Sequence, residues 1–163
     1  MKTIATLAAL AATMLAVLAN DENANLPEIT LDQVSWGTVV NNADFDAEAL
    51  AGKVVVVEKW GVNCGPCIAS LPEMAKLARR YETKGLAVVG LEVQGGDDET
   101  INELLKDARV KYPVTKGGTV KSNTNGIPNV SVFDIEGKLV WQGHPADGEF
   151  EKAVKAALKA YKK

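Results

Sequence analysis

After residue 32 the chain alternates between short, continuous apolar runs and stretches whose apolar residues recur every three or four positions. Residues 33–40 (QVSWGTVV) are rich in β-formers and run into the polar break NNADFD, where Asn42 and Asp44 are candidate helix caps. Four consecutive valines at 54–57 have the composition of a strand covered on both faces, and they predict the central strand. From Cys67 to Tyr81, apolar residues at 67, 71, 74, 75, 78 and 81 follow the helical period, which stops before Gly85. A second buried strand is predicted over 86–93 (LAVVGLEV), followed by Gly95-Gly96-Asp97-Asp98, whose aspartates can cap a helix striped by Ile101, Leu104, Leu105 and Ala108. The Gly, Ser, Thr and Asn content of 116–126 (KGGTVKSNTNG) reads as a surface loop. Strands at 130–133 and 139–142 flank Asp134-Ile135-Glu136-Gly137-Lys138, the turn chemistry of an antiparallel hairpin. A last helix puts Phe150, Val154, Ala157, Leu158 and Tyr161 on one face. Its acids come first (Glu149, Glu151) and its lysines last (Lys159, Lys162, Lys163), as the helix dipole favours. The order strand, helix, strand, helix, hairpin, helix predicts an α/β fold, a mixed central β-sheet flanked by helices on both faces.

Composition narrows the function classes. With 18 Lys+Arg against 21 Asp+Glu in 163 residues, the chain has no basic excess to neutralise a phosphate backbone, so nucleic acid is not an expected partner. The first 19 residues are set apart: Lys2 is the only charge before Asp21, and IATLAALAATMLAVLA is followed by polar NDENAN. That pattern is expected of a signal peptide cleaved after Ala19, because the run is shorter than the roughly 20 apolar residues a membrane span needs. The alternative is an uncleaved anchor. The expected organisation is therefore a signal peptide over 1–19, an N-terminal extension over 20–32 and one domain over 33–163. The protein is expected to be exported to the periplasm or beyond the cell, with no stable membrane insertion after cleavage.

Two cysteines make up the whole thiol inventory, and they stand together as Cys64-Gly65-Pro66-Cys67, between the central strand and its helix. Two thiols at this spacing can close a disulfide within one helical turn. The first also faces free backbone N–H groups and the positive end of the helix dipole, which favour a thiolate. Cys64 is therefore the candidate nucleophile, and Cys67, a turn further in, the candidate resolving thiol. A zinc site would need four ligands, and only the lone His144 could join this pair. A c-type haem attachment would need His where Ile68 stands. A purely structural disulfide is the remaining alternative, although so short a loop stabilises little.

Residues 54–67, VVVVEKWGVNCGPC, closely resemble the active-site strand and turn of thioredoxins, and more particularly the exported TlpA/ResA-like thiol-disulfide oxidoreductases. The resemblance runs from about Trp36 to the C-terminus and has three further anchors. These are Pro72, five residues past Cys67, Ile127-Pro128 entering a strand, and Gly137-Lys138-Leu139-Val140 leading to Gly143. It implies a thioredoxin-like fold, a redox-active Cys64–Cys67 disulfide with no other cofactor and no metal, and a cis bond at Ile127-Pro128. It further implies protein disulfide substrates and an upstream dithiol donor; a reducing dithiol is expected from the helix terminus and the intervening Gly-Pro, which adds no positive charge, and the protein is expected to be a monomer. The likeness stops short of peroxiredoxins, whose motif would need Thr at Gly61 and Pro at Val57.

The same resemblance assigns the site. Cys64, Cys67 and Glu58 are the implied catalytic residues, with Glu58 at the family's buried acid position and able to take the proton of Cys67 if burial raises its pKa. The alternative for Glu58 is a solvated or ion-paired strand residue. Trp60, Asn63, Ile127, Pro128, Gly143 and His144 are the implied substrate-binding residues. Asn63 departs from the family's usual Trp, which implies a less apolar groove, and His144 is either on the rim of the site or a solvated loop residue. A non-catalytic thioredoxin-like binding module with a structural disulfide is the competing function.

Overall fold

A computed structural model describes residues 26–162; the expected signal segment and residues 20–25 of the extension lie outside the described residues. After a single 3-10 turn at Leu31–Gln33 come β1 (Ser35–Val39), a second 3-10 turn (Glu48–Leu50), β2 (Val54–Trp60) and α1 (Gly65–Tyr81). The chain continues through a third 3-10 turn (Glu82–Lys84), β3 (Leu86–Glu92), α2 (Asp98–Asp107), β4 (Val114–Thr119), β5 (Asn129–Phe133), β6 (Leu139–Gly143) and α3 (Gly148–Leu158). No helix among the described residues is long and apolar enough to cross a membrane.

The six strands form one mixed sheet in the order β1-β4-β3-β2-β5-β6. β2 is central, parallel to β3 and antiparallel to β5, which is why the valine run is buried on both sides. Alternation along β2 divides the core. Val54, Val56 and Trp60 join the buried residues of α1, α2 and α3, including Leu71, Ile101 and Phe150. Val55 and Val57 instead pack with Ile29, Val34, Leu50 and Phe133. The α-helices thus cover one face and not both as expected, because the parallel crossovers β2–α1–β3 and β3–α2–β4 step in the same direction across the sheet, and the other face is closed by the N-terminal segment and the first two 3-10 turns. Residues 26–32 belong to this closure, since Leu139 N–H donates to Ile29 O and Thr30 bridges to Lys138.

The stretch expected to be a loop from residue 116 is, as far as Thr119, the strand β4, paired with β1 through Trp36↔Gly118 and Thr38↔Lys116. Its glycines serve a close approach of two backbones. A Cβ on Gly37 would lie 2.1 Å from Lys116 O, and Gly118 adopts φ 91°. Asn42 and Asp44 cap no helix; the first turn after β1 is the 3-10 turn at Glu48, whose N–H donates to Asp46 Oδ1. Asp97 does cap α2, accepting from Thr100 N–H at 2.9 Å. The hairpin turn is held by Asp134 Oδ1, which accepts from Glu136 and Lys138 N–H, with Gly137 at φ 76°.

Candidate active site

β2 ends at Trp60, and the turn Gly61-Val62-Asn63 delivers Cys64 to the N-cap of α1. Its backbone is extended, outside the helix, while its carbonyl accepts the first helical bond, from Ile68 N–H at 3.0 Å. Pro66 sits in the first turn, where an N–H would have no partner anyway. Cys64 and Cys67 are joined in a disulfide with Cα atoms 5.2 Å apart, and Cys64 Sγ accepts from Cys67 N–H at 3.2 Å. Cys64 keeps 9% of its surface exposed and Cys67 none. Of the two cysteines, only Cys64 retains any exposure.

The turn before Cys64 is braced by two side chains from the end of β3 that the sequence did not single out. Glu92 is fully buried, yet its carboxylate accepts four backbone N–H groups: Val62 and Gln94 on Oε1 (3.2 and 3.0 Å), Gly95 and Gly96 on Oε2 (2.9 and 3.1 Å). Gln94 Oε1 accepts Asn63 N–H at 2.8 Å. Together they tie the β2–α1 turn to the β3–α2 turn.

Glu58 lies two residues before Trp60 on the helix-covered face and is fully buried. Its Oε2 accepts the Tyr112 hydroxyl at 2.7 Å, and its Oε1 has no partner among the described residues. Burial pushes the carboxyl up from 4.5 to about 7, against the opposing pull of the Tyr112 hydrogen bond. Burial, then the neighbouring Glu58 charge and the shared bond, push the Tyr112 phenol well above its ordinary value, so it remains a donor. Solvated or ion-paired, as the alternative for Glu58 had it, this carboxyl is not.

Trp60 needs correction. It is wholly buried in the core cluster with Cys67 and Leu71, its indole Nε1 without a partner among the described residues, so it underlies the site and lines no groove. Its face follows from the β period, which groups it with Val54 and Val56 beneath the helices. Asn63, by contrast, is exposed beside Cys64. The Ile127–Pro128 bond is cis, with Pro128 buried and Ile127 half-buried against the cluster that holds both cysteines. Gly143 closes β6 opposite Val130, its carbonyl accepting Asn129 Nδ2–H at 3.4 Å. His144 is exposed, its Nδ1 accepts Ala146 N–H at 3.1 Å, and it shares a groove of about 520 Å³ with Pro66, Ala69 and Ser70 of α1. The histidine therefore borders the first turn of the cysteine helix.

A mixed sheet whose central strand feeds a Cys-X-X-Cys disulfide into a helix N-terminus defines a thioredoxin-like α/β protein. The chain belongs to the Redoxin family, whose profile matches residues 21–158. It is 29% identical over 135 residues to the thiol-disulfide oxidoreductase ResA of Oceanobacillus iheyensis, covering 81% of this chain and 64% of that protein. ResA of Bacillus thuringiensis is 29% identical over 107 residues, covering 63% of this chain and 61% of its own. The chain thus spans a little under two thirds of the length of these relatives. Among solved structures, a thiol:disulfide interchange protein from Chlorobium tepidum superposes with a TM-score of 0.66 at 24% identity, covering 77% of this chain and 93% of its own. A thiol-disulfide isomerase from Corynebacterium glutamicum gives 0.67 at 20%, covering 83% and 97%. Those likenesses establish the fold.

Proposed function

We propose that this protein is an exported thiol-disulfide oxidoreductase that reduces protein disulfides with the Cys64–Cys67 dithiol. The observation that carries this reading is the asymmetry of the pair, a helix N-cap cysteine that keeps some exposure joined to one that is fully buried. A merely structural bridge has no need of it. In the reduced protein the Cys64 thiolate, favoured by the Cys67 N–H and the helix dipole, attacks one sulfur of a substrate disulfide. A mixed disulfide forms and one substrate thiolate leaves. Cys67 then gives its proton to Glu58 and attacks Cys64 Sγ, which closes the Cys64–Cys67 disulfide and expels the second substrate thiolate. The substrate gains two electrons and the protein loses them, to be restored by an upstream dithiol donor. Asn63, Ile127, Pro128, Gly143 and His144 form the rim where an extended substrate segment would lie, pairing through main-chain groups.

The test is equilibration of the pair against glutathione or dithiothreitol, together with reduction of a protein disulfide such as insulin. A reductase is expected to have a potential of roughly −200 to −270 mV and to reduce the substrate catalytically. A value near −120 mV would reverse the direction to disulfide donation. A pair that neither reduces nor exchanges would leave the chain a binding module with a structural bridge.

A further inference from the structure

We infer that Tyr112 is a positioning residue for the second half of the exchange: its phenol anchors one oxygen of the Glu58 carboxyl and leaves the other as the atom open to a proton. The inference rests on the reading of Glu58 as the acceptor for Cys67.

Glu58 and Tyr112 are 54 residues apart in sequence and meet in the core at 2.7 Å. Tyr112 arrives from the segment before β4, beyond β3, and β3 lies between that segment and β2. The residue of β3 that faces Glu58 in the register is Gly90. A Cβ there would crowd Val114 Cγ2 at 3.1 Å and Trp60 Nε1 at 3.3 Å and would touch the Tyr112 ring at 3.5 Å, so Gly90 lets Trp60, Val114 and Tyr112 pack together over Glu58. The phenol is also held from behind. Asn41, just after β1, donates from Nδ2 to Tyr112 O at 2.9 Å and accepts Val114 N–H on Oδ1 at 3.0 Å, clamping the backbone on both sides of Pro113. Tyr112 thus bonds one oxygen of Glu58 directly, and Asn41 fixes the backbone behind the phenol.

Among the described residues, no other ionisable group of this core face is placed to share this task. Lys59 points to the opposite face of β2, and the carboxylate of Glu92 is occupied by its four amides. β5 presents Val130 and Val132 to this face, α2 presents Ile101 and Leu105, and α3 presents Phe150 and Val154. From α1 and its N-cap come Cys67 and Cys64 themselves, and Tyr81, whose hydroxyl donates to Glu151 at 2.9 Å. A donor that stays protonated stabilises the ionised carboxyl over the neutral one, so the phenol opposes the effect of burial.

The experiment follows the Glu58 carboxyl directly, by its infrared C=O band or its side-chain carbon resonance, across pH in the oxidised protein, with Glu58→Gln identifying the signal. In parallel, the rate of resolution of the Cys64 mixed disulfide is measured across pH. Tyr112→Phe is expected to raise the Glu58 midpoint by about one pH unit or more, the effect of a lost bond to a charged group, and to move the resolution profile alkaline by the same amount. Asn41→Ala, which keeps the phenol and frees its backbone, is expected to move both in the same direction by less, and it decides the matter should Tyr112→Phe not fold. A Glu58 midpoint that stays in place overturns the positioning role. A midpoint that rises while the resolution profile stays put upholds the anchoring and overturns Glu58 as the proton acceptor.

Discussion

The backbone N–H of Asn63, the residue before the N-cap cysteine, donates to Gln94 Oε1 at 2.8 Å, so the turn carrying Cys64 is held by a side chain from the turn that follows the neighbouring parallel strand β3. That side chain fills the space above Gly61, where the nearest neighbours of an added Cβ would all be Gln94 atoms at 2.3–2.5 Å. Gly61 and Gln94 are therefore expected to be coupled. Gly61→Ala alone should displace the Gln94 side chain and cost about 1 kcal/mol, the worth of the lost hydrogen bond. In a Gln94→Ala background the same change should be neutral or stabilising by a few tenths, since the clash is gone and the unfolded chain is stiffer. A double-mutant cycle by urea unfolding measures this, and additive costs would contradict it.

Glu92 makes a sharper demand. All four of its contacts are backbone donors. Glu92→Gln keeps the shape but points an NH₂ at amides that themselves donate, so the near-isosteric change should destabilise by roughly 2–4 kcal/mol. Glu92→Ala should cost at least as much by leaving the turn amides unmatched. If unfolding midpoints show Glu92→Gln to be neutral, the carboxylate does not hold the two turns together.

What could be read from the chain was local. The valine run, the cysteine turn, the Asp97 cap and the hairpin around Gly137 each depend on residues within a few positions, where period and turn chemistry act directly. β4 was hidden because Gly117 and Gly118 look like loop residues until the β1 backbone lies against them. The Glu58–Tyr112 and Val62–Glu92 contacts span 54 and 30 residues, and no period encodes such distances. One trace was present: Gly90 interrupts an otherwise bulky strand, LAVVGLEV, which signals that something large passes close by. Trp60 was misplaced for a different reason. Its face follows from the β period, but nothing in the sequence says that the helices seal that face completely.

The Glu58 carboxyl ties stability to pH. Its value rises from 4.5 to about 7 on folding because of burial, so between those limits the folded state holds a proton that the unfolded state has lost. The contribution is then fully present below pH 4.5 and is lost as pH rises through 7, amounting to roughly 3 kcal/mol. Urea unfolding of the oxidised protein should show stability from this group falling across that window. Glu58→Gln should flatten the slope and be the more stable protein at pH 8. A steeper fall in the variant than in the parent would contradict the assigned burial cost.

The two cysteines should separate cleanly in single variants, because their environments differ more than their spacing suggests. Cys64 holds the N-cap and its residual exposure, whereas Cys67 is closed in beneath the first turn with Leu71 and Trp60. Alkylation of the reduced protein is accordingly expected at Cys64 on the order of tenfold faster than at Cys67, since both thiolate character and access favour it. Cys64→Ser should abolish exchange with a protein disulfide, having lost the one cysteine of the pair that retains exposure. Cys67→Ser should still attack once and then stop, because no second thiol remains to expel the substrate, and the covalent complex should accumulate to about one per protein. Mass analysis of the trapped adduct reads both outcomes, and the same variant expressed in its own cell would name the substrates it holds. Faster alkylation at Cys67, or trapping by Cys64→Ser in place of Cys67→Ser, would reverse the roles and with them the direction in which the helix N-terminus is proposed to act.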